Sequence, residues 1–190
     1  MDNPFLKALF VQPPEVLGRQ LLPLSAYHVA ALMLLDSPFT QRGATATPED
    51  LTVAVWVCSH GYKTGPASLF PVPPQEEIAK WGHSFDFAAE LADFDTYLQD
   101  YMDLPEVWTD SENSKDSGMP SPFHAVATVM RHMPTITEER AWDMPFSLLA
   151  CYKCAIGEEH GWEIVSERQK ELIALRDKLN AEAKANNGDS

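Results

Sequence analysis

The stretch Leu24-Ser25-Ala26-Tyr27-His28-Val29-Ala30-Ala31-Leu32-Met33-Leu34-Leu35 limits the possible folds most, because as a helix it is apolar on nearly every face and only His28 interrupts its interior. Such a helix cannot face water, so other elements must cover it. Pro23 falls outside the helix, Ser25 is a good N-cap, and Asp36-Ser37-Pro38 stops the run. Start and stop signals agree on one short buried helix at the centre of the fold.

The remaining segments read as its cover. Phe5, Leu6, Leu9, Phe10 and Val11 give one or two helical turns before Pro13-Pro14. Thr47-Pro48-Glu49-Asp50 supplies an N-cap, a proline at N1 and acid in the first turn. Leu51 to Cys58 is therefore read as helix despite its β-branched residues, with Gly61 just beyond its end. Residues 62–74 are rich in Gly and Pro and read as a loop, and Gln75 to Trp81 begins helical. From Phe85 to Met102 an amphipathic helix places Phe85, Ala88, Ala89, Leu91, Ala92, Phe94, Leu98, Tyr101 and Met102 largely on one stripe.

Ser121-Pro122 opens a further short buried helix carrying Phe123, Ala125, Val126, Ala127, Val129, Met130 and Met133. Thr137-Glu138-Glu139-Arg140 starts another, and Phe146 to Ile156, closed by Gly157 or Gly161, is expected to pack on the central helix. Ser166 to Ala185 reads as a long helix of mixed charge. The expected fold is all-α: a single compact helical domain of five to seven helices with a long C-terminal helix. Its core spans residues 1–162 with a mobile acidic loop near 104–120, and residues 163–190 form the charged helix and tail.

The charge balance narrows the function. There are 28 acidic and 14 basic residues, a net charge of −14, and the segment from Asp86 to Asp116 has ten acids against the single Lys115. A field of that sign repels phosphate backbones and anionic lipid, so nucleic acid and membrane surfaces are poor partners and a basic protein is a good one. No apolar run approaches the roughly 18 residues of a membrane span. Met1-Asp2-Asn3-Pro4-Phe5 lacks a basic leader, and three cysteines make no regular framework, so the expectation is a cytoplasmic protein with reduced thiols.

Cys151 and Cys154 form a C-x-x-C that reads as core packing, as half of a zinc site with Cys58 and His60, or as a redox pair. The lack of a βαβ context and of a second C-x-x-C favours packing. His28, His83, His124, His132 and His160 show no His-x-x-x-His spacing, and Glu158-Glu159-His160 reads as a solvated helix end before it reads as an acid-base group. No phosphate loop, nucleophile elbow or EF-hand pattern occurs. The reading is non-enzymatic, with no cofactor and no metal.

Pro23-Leu24-Ser25, Tyr27-His28 and Asp36-Ser37-Pro38-Phe39, followed by Asp50-Leu51 and Ala54-Val55-Trp56-Val57-Cys58-Ser59, resemble small proteins of phage tail gene clusters, the tail assembly chaperones. Trp142-Asp143-Met144-Pro145 with Glu158-Glu159-His160-Gly161 is similar in style to their C-terminal helices. The resemblance implies an acidic, helical, non-enzymatic protein that keeps the tape-measure protein soluble in the host cytoplasm during tail morphogenesis. Alternatives are a structural virion or baseplate-associated protein and a small zinc or thiol redox protein using Cys151 and Cys154. For a long helical client the residues offer Leu172, Leu175 and Leu179, a narrow seam of about two heptads on the C-terminal helix.

Overall fold

The computed structural model describes residues 12–41, 43–62, 75–76, 85–102, 107–108, 121–161, 163–164, 174–176 and 178. Among them the chain is mostly helical, with two sheets of two short strands each. Strands β1 (Glu15–Val16) and β2 (Arg19–Gln20) come first, then helix α1 (Ala26–Leu34), a 3-10 turn (Pro38–Thr40), and helices α2 (Pro48–Cys58) and α3 (Phe87–Met102). Strand β3 (Val107–Trp108) precedes helices α4 (Ser121–His132), α5 (Glu138–Asp143) and α6 (Phe146–Glu159), and β4 (Glu163–Ile164) follows. The chain divides into two compact units, Met1–Leu104 with Asp116–Lys153, and Pro105–Lys115 with Cys154–Ser190.

In the first unit α1 is the hub. It packs against α2, α4, α5 and the 3-10 turn, and every residue from Ala26 to Leu32 is buried. Its N-terminus is closed by a capping box in which Ser25 Oγ accepts from the His28 amide at 3.4 Å and His28 Nδ1 accepts from the Ser25 amide at 3.0 Å. A ring nitrogen that accepts from an amide carries no proton, so the proton sits on Nε2, which donates to the His60 carbonyl at 2.8 Å. One neutral imidazole thus caps α1 and ties it to the chain leaving α2. Burial pushes its pKa down to about 4.

The last turn of α1 departs from the all-round burial that its composition suggests. Met33 is 40% exposed and Leu34 62%. The helix ends there in a Schellman pattern, with Ser37 N–H donating to Leu32 O, Asp36 N–H to Met33 O, and Asp36 at φ 51°. This reversal delivers Phe39 edge-on to Phe94 of α3, centroids 4.8 Å apart. At the other end, α6 joins α1 through an isolated bridge between Ser25 and Pro145 and a 2.7 Å bond from Phe146 N–H to Leu24 O.

The hairpin β1–β2 has no counterpart in the sequence reading. Its two central residues, Leu17 and Gly18, have φ of 51° and 68°, as a two-residue turn that follows the strand twist requires. A leucine rarely adopts that backbone. Here burial of its side chain and a 2.6 Å bond from its amide to Glu90 Oε2 of α3 hold it. Leu21 then leads into a three-way junction: Leu22 N–H donates to Cys58 O at 2.9 Å, and Tyr97 Oη donates to Leu22 O at 2.9 Å.

Helix α2 forms where its N-terminal signals place it, with Thr47 and Asp50 making a reciprocal capping box and Pro48 in the first turn. Helices α3 and α4 bury narrower stripes than their composition suggests. In α3 the buried set is Phe94, Tyr97, Leu98 and Tyr101, whereas Phe85, Ala88, Ala89, Ala92 and Met102 are exposed. In α4 it is Pro122, Ala125, Val126 and Val129, and Phe123 is 45% exposed. Each set has the i, i+3, i+4, i+7 spacing of a helix covered on one side only.

In the second unit β3 pairs antiparallel with β4, so part of the stretch near 104–120 read as a loop is strand. Helix α6 ends at Glu159 with Gly161 at φ 82°, which selects Gly161 over Gly157 as the stop. Residues 174–176 and 178 are helical. The rest of the expected long C-terminal helix, the helical turns before Pro13, the 63–74 loop and most of the 104–120 loop lie outside the described residues.

Two outcomes follow from the hub. Leu32 is 1% exposed, so Leu32→Asp combines the loss of a core side chain with a buried carboxylate, and circular dichroism should show a chain that fails to fold. His28 titrates lower in the fold than in the unfolded chain. The stability it contributes is therefore complete above pH 6.5 and declines as the pH falls, by about 3 kcal/mol on reaching pH 4. Urea midpoints at pH 7 and pH 4.5 should differ markedly less in His28→Gln, which can keep the capping box but cannot take up a proton; an equal difference would remove His28 as the cause.

Candidate functional site

The titratable groups of the first unit are mostly committed to holding the fold. His28 is sealed and neutral. Cys58 is fully buried at the end of α2, and burial pushes its thiol up to about 12, partly offset by a hydrogen bond with Tyr97. His60 Nδ1 lies 2.7 Å from the Trp56 carbonyl, its ring lies tilted against the Trp56 indole with centroids 4.6 Å apart, and the Arg19 guanidinium lies 4.4 Å above the same indole.

Cys151 is half-buried and Cys154 buried, one on each side of the division between the two units within α6, and neither forms a disulfide. Among the described residues no three His, Cys, Asp or Glu side chains are arranged to hold a metal ion. Glu158, Glu159 and His160 are exposed at the end of α6. Of the seam residues, Leu175 is 54% exposed, while Leu172 and Leu179 lie outside the described residues.

A second group of carboxylates joins distant segments. Tyr62 donates its amide to Asp143 Oδ1 at 2.6 Å and its hydroxyl to Glu138 Oε1 at 3.3 Å, so the chain leaving α2 is bonded to both ends of α5. The Tyr62 ring stacks on Trp142 at 5.9 Å and meets Tyr27 of α1 edge-on at 5.7 Å, and Phe123 of α4 meets Trp142 edge-on at 5.0 Å. None of these pairings was legible in the sequence, where the acids of α5 signal only a helix start.

The side of α3 that faces solvent differs in kind. Asp86 caps its own helix, accepting from the Ala88 and Ala89 amides, and Glu90 holds the hairpin tip. Asp93 and Asp95 are exposed, and among the described residues neither accepts a hydrogen bond. Beside them the Schellman turn and the segment after it stand off from α3 and leave a half-open cleft of about 220 Å³. Among the described residues it is lined by Pro38, Phe39, Gln41, Ala44 and Ala46 on one side and by Leu91, Asp95 and Leu98 on the other, and most of the surface it exposes is polar.

No helix among the described residues is long and apolar enough to cross a membrane. Iodoacetamide at pH 8 should leave Cys58 unmodified in the folded protein and label it after unfolding in guanidinium, read by peptide mass spectrometry; prompt labelling in the fold would mean that the junction with Leu22 and Tyr97 does not exclude the reagent. In comparisons with known proteins, no family model, no curated sequence and no solved structure matches the chain.

Proposed function

We propose that this protein is a non-enzymatic assembly chaperone of the phage tail type, holding a long helical client, the tape-measure protein, soluble in the host cytoplasm. The observation that carries the reading is the exposed side of α3. There Ala88, Ala89 and Ala92 lie in solvent with Asp93 on one flank of the helix and Asp95 on the other, and Asp95 also lines the cleft beside Phe39. Small side chains admit the backbone of another helix at close range, and exposed acids draw a basic one.

The net charge of −14 acts in the same direction, since it speeds encounter with a basic client and keeps the complex soluble. The resemblance carried by Pro23-Leu24-Ser25, Tyr27-His28 and Asp36-Ser37-Pro38-Phe39 adds the biological setting. These residues include the cap of α1 and the turn that sets one wall of the cleft. The seam at Leu172, Leu175 and Leu179 supplies a second contact for the client, and Leu175 is accessible for it.

The test is coexpression with the long helical protein encoded by a neighbouring gene. The client should be recovered in the soluble fraction only when this chain is present, and Leu172→Asp combined with Leu175→Asp should reduce the soluble client severalfold while the variant itself stays folded. A client that is equally soluble alone, or with the double variant, would defeat the chaperone reading and leave a virion structural role as the better account.

A further inference from the structure

We draw no further inference here: the strongest candidate, the solvent-facing side of α3 on which Ala88, Ala89 and Ala92 run between Asp93 on one flank and Asp95 on the other, already carries the chaperone reading, and beyond its small and acidic side chains nothing in the structure shows what covers it.

Discussion

The His28 ring makes one hydrogen bond from each nitrogen, and the geometry of the first unit depends on both. Nδ1 closes the amide of Ser25 at the start of α1, and Nε2 holds the His60 carbonyl just beyond α2. Glutamate is the common partner in a capping box, but a carboxylate in this fully buried position would have to be desolvated and would offer the His60 carbonyl no proton. A neutral imidazole is acceptor and donor at once. It can therefore serve two chain segments that have only the interior in common, and that follows from its two nitrogens, with no reference to catalysis.

From this bond the path to the surface is short. The α1 that His28 caps ends in the reversal at Asp36, the reversal presents Phe39, and Phe39 meets Phe94 and forms a wall of the cleft. On the other side, the chain leaving His60 reaches Tyr62, which is clamped between Glu138 and Asp143 and stacked on Trp142. The titratable groups with strongly displaced pKa values, His28, Cys58 and Tyr97, lie along the buried part of this route. Their shifts arise first from burial. Perturbed groups often mark an active site, but here the same shifts accompany helix ends pinned to one another.

Helix ends were the most legible part of the sequence. Ser25, Thr47, Thr137 and Pro48 act locally, through bonds reaching no more than one turn, so residue type and spacing suffice to place them. The hairpin was hidden because its turn uses Leu17, a residue that no local rule puts at positive φ, and what holds it there is Glu90, 73 residues away. Tyr97 was overlooked in α3 for a similar reason: its burial reflects a hydroxyl satisfied by Leu22 O. The apolar residues of α3 and α4 were assigned too much burial because composition gives the apolar content of a helix but not how many neighbours cover it. The cleft could not be foreseen at all, since its two walls come from segments about fifty residues apart that meet only through the core.

The bond from Phe146 N–H to Leu24 O spans about 120 residues, and that from Tyr62 N–H to Asp143 Oδ1 spans 81. During synthesis the N-terminal residues emerge first, so α1 leaves the ribosome long before α4, α5 and the start of α6, which complete its cover. Non-local contacts of this kind are slow to close because the chain between them must first be ordered. Between those two moments the nascent chain carries an apolar helix that only α2 and the 3-10 turn shield. A protein whose proposed task is to keep another chain's apolar stripes out of water passes through the same exposure during its own synthesis.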